Sequence, residues 1–155
     1  MFRFAKRIVH TEEEAVDIVQ ESFLRIWKNK QKLKEVDNQE AWCMRITKNI
    51  ALDKLKSGHV KHIHRFPEHF DVATSSTLSP ERVTETNDMI ASMRKIINTL
   101  PENYQQVIHL RDIEGYTYKE ICDIMELDMS NIKTNLFRAR KEIRNQLNKL
   151  VNYGL

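Results

Sequence analysis

Apolar residues recur every three or four positions through most of the chain and nowhere alternate for long, the spacing of helices with one buried face. Phe2 to His10 fits a short helix with Phe4, Ala5 and Ile8 inward. Thr11 and Glu14 then have capping-box spacing. The helix they open runs to about Lys30, burying Ala15, Ile18, Val19, Ser22, Phe23, Ile26 and Trp27 and showing Asp17, Gln20, Glu21 and Arg25. Lys30 to Asn38 is polar and reads as a loop. Asp37 with Glu40 opens a third helix, whose apolar set is Ala41, Trp42, Ile46, Ile50 and Leu55. Periodicity fails over residues 57–79, where Gly58, Pro67 and a Ser/Thr cluster predict a flexible linker.

Ser79-Pro80 restarts the helical pattern, with Val83, Ile90, Met93, Ile97 and Leu100 as its seam. Leu100-Pro101 ends that helix. The next runs from Glu102 to about Ile113, using Tyr104, Val107, Ile108 and Arg111, and Gly115 supplies a left-handed stop. Thr117 and Glu120 make another capping box, ahead of Ile121, Ile124 and Met125. After Glu126-Leu127, Asp128 is placed to cap a last helix, buried along Ile132, Leu136, Ala139, Ile143, Leu147 and Leu150. The pattern predicts an all-α chain: a first domain over 1–56, a linker over 57–79, and a four-helix domain over 80–155.

Three glycines and three prolines in 155 residues agree with that helical reading. The net charge of +3 is too mild to imply a nucleic-acid partner, so the placement of charge has to decide. Basic residues outnumber acidic ones 12 to 9 over 1–56 and 10 to 8 over 89–155, with 3 against 5 between them. Cys43 and Cys122 lie far apart within apolar patterns, which suits buried, reduced thiols in a cytoplasmic protein. No apolar run approaches the ~20 residues of a membrane span, so no membrane insertion is expected. Nor does MFRFAKRIVH have the form of a signal peptide. His59, His62, His64 and His69 match no closed tetrahedral metal site. With no phosphate-cradling glycine loop, nucleophile elbow or paired ligand motif, the chain reads as no enzyme, holding neither metal nor cofactor.

The chemistry that remains is recognition. On the last helix Lys133, Arg138, Arg140, Lys141 and Arg144 face outward against one acid, Glu142. Two helices joined by a tight turn, the second basic outside, fit a helix-turn-helix that enters a major groove. A helical hairpin with a solvated basic face gives the same pattern. On the third helix Trp42 stands among Arg45, Lys48, Asn49, Asp53, Lys54 and Lys56. Bases stack on rings while ammonium groups meet phosphates, so that mixture suits unstacked DNA; a core role for Trp42 is the plainer alternative.

The residues also carry a family resemblance. AVDIVQESFLRIW at 15–27 resembles the signature of bacterial sigma-70-family factors in the helix that meets core RNA polymerase. AWCMRITKNIALDKLK at 41–56 is similar to the next helix, which melts and reads the −10 element, and residues 100–144 resemble the −35-reading domain. Two domains with a short linker resemble the extracytoplasmic-function (ECF) group. The resemblance implies a factor that directs core polymerase to promoter DNA and is held by an anti-sigma partner. It implies core-polymerase contacts at Asp17, Gln20, Glu21 and Phe23, with Phe23 mainly in the core. It implies −10 contacts at Trp42, Arg45, Lys48, Asn49 and Lys54, the segment around Lys32 to Gln39 receiving a flipped base. The −35 element falls to Lys133, Thr134, Asn135, Phe137 and Arg138, and Arg140 and Lys141 to phosphates. Relatives usually carry about one further helix ahead of the segment that starts here at Met1. Glu126 stands where the family often has glycine, which predicts a strained positive φ. The alternatives are a two-domain helix-turn-helix regulator that is no polymerase subunit, and a protein-interaction module that never touches DNA.

Overall fold

The computed structural model describes the backbone of residues 1–58 and 80–152 and the side chains of 1–57 and 89–150. The expected linker, with its four histidines, lies outside what is described except for Ser57 and the backbone of Gly58, and so does the side chain of Val83. Every regular element among the described residues is helical. They fall into two units: residues 1–69 with 117–128, and residues 70–116 with 129–155.

In the first unit α1 (Phe2–Val9), α2 (Glu12–Lys28) and α4 (Gln39–Gly58) pack pairwise. Phe4, Ala5, Ile8 and Val9 of α1 are buried with Ala15 and Ile18 of α2 and Ala41, Met44, Ile50 and Ala51 of α4. Two polar members of this core are satisfied locally: Ser22 donates to the Ile18 carbonyl at 2.6 Å and Thr47 to that of Cys43 at 2.9 Å. His10, in the left-handed region at φ 66°, ends α1, and its N–H donates to the Lys6 carbonyl. Thr11 caps α2 by accepting the Glu14 N–H, and its hydroxyl donates back to the Glu14 carboxylate at 2.6 Å.

The segment expected as a loop over 30–38 contains a helix, α3 (Lys30–Glu35). Leu33 and Val36 are its half-buried anchors, too short an apolar pattern to read as periodic. Cys43 and Cys122 are half-buried, not buried. Burial, the dominant cause, and the Glu40 carboxylate push the Cys43 thiol up, while the amino terminus pulls it the other way.

The same unit includes α7 (Tyr118–Met125), which packs against α4. The capping box predicted for it forms in full: Thr117 Oγ1 accepts the Glu120 N–H at 3.3 Å, and the Glu120 carboxylate accepts the Thr117 N–H at 2.7 Å. Ile121, Ile124 and Met125 are buried as expected. By packing, α7 groups with residues 1–69, while in the sequence it lies within the 80–155 block. Polar side chains, which periodicity does not weigh, tie it to α4.

The second unit holds α5 (Pro80–Thr99), α6 (Glu102–Ile108) and α8 (Met129–Asn152), and α8 packs on both others. Ile132, Leu136, Ala139 and Ile143 are buried, whereas Leu147 is half-buried and Leu150 exposed near the end of α8. Along α5 the buried seam is Ile96 and Leu100, and Ile90, Met93 and Ile97 are only half-buried. A single π turn, His109–Ile113, continues α6 and buries His109 and Leu110. Gly115 follows at φ 81°, and the Tyr116 N–H closes the turn on the Leu110 carbonyl at 2.9 Å.

Candidate polymerase and nucleic-acid interfaces

Helix α2 presents the first candidate surface. Its buried stripe is narrow, limited to Ala15, Ile18 and Ser22, with Val19 and Ile26 half-buried. A helix advances about 100° per residue, so Phe23 and Trp27 fall beside that stripe instead of on it. Phe23 is 60% and Trp27 72% exposed, which corrects the expectation that both are core. Val16 and Leu24 are exposed as well. These apolar residues share the outer surface with Asp17, Gln20 and Glu21, all exposed. Glu21 pairs with Arg25 one turn on, and Asp17 accepts from Lys54 at 3.1 Å. Lys30 Nζ lies 5.2 Å from the centre of the Trp27 ring. Four exposed apolar side chains beside acids on one helix form a patch of the kind that marks a protein-binding face. Sequence reading found Phe23 but assigned it inward, and missed Val16, Leu24 and Trp27 as surface residues. The excess of apolar positions over what one helical stripe can bury was the available signal.

Helix α4 carries the second set. Trp42, Arg45, Asn49 and Lys54 are half-buried, but Lys48 is only 5% exposed. Its ammonium donates to Glu126 Oε2 at 3.2 Å, and the Asn49 amide donates to the same oxygen at 3.3 Å. At the other end of this contact the Asn38 amide donates to Glu120 Oε1 at 2.9 Å, while Asn38 Oδ1 accepts the Ala41 N–H. Burial is the largest influence on the Glu126 carboxyl and pushes it up. Hydrogen bonds from Lys48 and Asn49 and the charges of Lys48 and Arg45 outweigh it, so the group sits below the usual carboxylate range. Glu126 adopts φ 58°, the left-handed value expected from the missing glycine. Lys48 and Lys54 are thus each paired with a carboxylate, Glu126 and Asp17 respectively. Neither Asn38 nor Glu126 was singled out as a partner of this helix from the sequence.

The third set is on α8. Lys133, Thr134 and Arg138 are exposed, Asn135 is half-buried, and Phe137 is 69% exposed. They fall on both sides of the buried Ile132–Leu136–Ala139 stripe, so all but Asn135 are open to solvent. Arg140, expected to serve phosphates, instead makes a two-pronged pair with Asp112 beside the π turn, Nε lying 3.1 Å from Oδ2. That pair anchors the π turn to α8 within the second unit. Among the described residues no cluster of His, Cys, Asp and Glu could hold a metal, and no helix is long and apolar enough to cross a membrane.

Known proteins resemble this chain along most of its length. Residues 1–59 match the family model "Sigma-70 region 2" and residues 90–143 match "Sigma-70, region 4". The "ECF RNA polymerase sigma factor SigE" of Mycolicibacterium smegmatis is 26% identical over 149 residues, which cover 96% of this chain and 58% of that protein. The "RNA polymerase sigma-H factor" of Pseudomonas aeruginosa is 27% identical, covering 94% of this chain and 79% of its own length. Among solved structures, the Bartonella quintana sigma factor RpoE, determined with the anti-sigma factor NepR, superposes with a TM-score of 0.74 at 20% identity, over 95% of this chain and 89% of that one. CnrH, determined with the cytosolic domain of CnrY, gives 0.61 at 20% identity over 96% and 80%.

Proposed function

Because the chain belongs to the ECF group of the sigma-70 family, we propose that it binds core RNA polymerase, directs it to promoters and assists their opening, with no catalysis of its own. The observation that carries this reading is the exposed face of α2. A helix that leaves Phe23, Leu24 and Trp27 in water beside Asp17, Gln20 and Glu21 is costly for a chain that acts alone. It is useful to one that docks on a polymerase. The compartment that goes with this partner is the cytoplasm.

Promoter contact divides between two helices. Trp42, Arg45, Lys48, Asn49 and Lys54 of α4 take the opened −10 strand, bases stacking on the ring and cations meeting phosphates. On α8, Lys133 and Arg138 suit guanine or phosphate, Asn135 suits adenine, and the open ring of Phe137 suits a thymine methyl, with Thr134 beside them. These residues form the −35 surface, within a domain that the reading extends over 80–155, the first domain covering 1–56 and the linker 57–79. An anti-sigma protein completes the set of partners. One structural neighbour, the Bartonella quintana sigma factor, was solved in complex with the anti-sigma factor NepR.

The test is transcription by core polymerase plus the chain on a library of genomic fragments. Lys133→Ala with Arg138→Ala should abolish specific transcripts while the chain still co-elutes with core polymerase. Specific transcription unaffected by the double substitution would refute the −35 assignment.

A further inference from the structure

The α4–α7 contact pairs residues that the proposed function needs free. Glu126 reaches Lys48 and Asn49 through one carboxylate oxygen, and Glu120 holds Asn38 just ahead of α4. The Lys48 ammonium is almost wholly out of water, and Arg45 adds its charge to the field on Glu126. Glu126 makes this reach from a left-handed backbone conformation that glycine would adopt more readily, so the turn keeps a side chain where the backbone disfavours one. A carboxylate offers an ammonium and an amide the same acceptor chemistry as a nucleic-acid phosphate.

We propose that Glu126 is a built-in brake, standing in for a DNA phosphate on Lys48 and Asn49 and closing the strand-binding face of α4 until α7 leaves it. The proposal rests on the −10 assignment of those two residues. In the free chain the brake keeps α4 from holding single strands indiscriminately. Polymerase and promoter displace it together, because the partner that removes α7 exposes the ammonium to the strand that needs it.

The experiment measures binding of the full chain to a fluorescein-labelled, mixed-sequence single-stranded oligonucleotide by anisotropy at fixed low salt. Glu126→Gln keeps shape and removes charge. Glu126→Gly keeps the turn conformation and removes the side chain, so the two together separate release from misfolding, and circular dichroism checks each fold. Both should bind roughly three- to tenfold more tightly than the unaltered chain, and adding Lys48→Ala should cancel the gain. Folded Glu126 variants that bind no more tightly, or a gain that survives Lys48→Ala, would overturn the brake. Failure of the −10 reading looks different: Lys48→Ala and Asn49→Ala would then leave promoter opening by the polymerase complex unchanged, whatever Glu126 does.

Discussion

Single residues set the behaviour of α7 at both its ends. At its start Thr117 and Glu120 satisfy one another's backbone N–H groups, and the Glu120 carboxyl is held below its ordinary range. The Thr117 N–H is the first cause and the Thr117 hydroxyl the second, with burial opposing them and the Asn38 amide adding to them. A carboxyl whose pKa is lower folded than unfolded contributes stability above its unfolded value, near ~4.3. That contribution disappears as pH falls through the folded value. Thermal melts between neutral pH and about pH 3 should therefore show Glu120→Gln losing less stability on acidification than the unaltered chain; equal losses would contradict the assignment. This capping box was legible because Thr and Glu at that spacing leave few other roles. The partners of Glu126 were not legible, since a contact between residues 48 and 126 depends on packing that no local pattern encodes.

At the scale of elements, α2 separates what folds from what binds. Its helical period correctly predicted burial of Ala15, Ile18 and Ser22. The error over Phe23 and Trp27 came from counting every apolar residue as inward, although a helix packed against two neighbours covers only part of its circumference. Ile18→Ala removes a fully buried side chain and should cost ~2–5 kcal/mol. Phe23→Ala, on the exposed side, should change stability by no more than ~0.5 kcal/mol. Urea denaturation of both variants checks this; a Phe23→Ala loss as large as that of Ile18→Ala would mean the ring is structural. Helix α3 escaped sequence reading for the opposite reason, having too few apolar positions to display a period. Polar side chains likewise decide the fate of α7. Its apolar residues are the ones the pattern named, but Asn38, Lys48 and Asn49 tie it to α4.

For the whole molecule, the fold class, the order of the two family regions and the basic, solvent-facing side of α8 could all be read from the sequence. Three motifs in a fixed order carry far more information than any one of them. Which residues are available to partners could not be read, because availability is a property of packing. On the proposed reading the chain lends core polymerase an address on DNA through the open face of α2. The most direct measurement is the affinity of purified chain for core RNA polymerase, with and without Phe23→Ala and Trp27→Ala. The unaltered chain should form a one-to-one complex, and the double variant, with its melting temperature preserved, should bind at least tenfold more weakly. A folded wild-type chain that ignores core polymerase, or a double variant that binds it equally well, would contradict the claim.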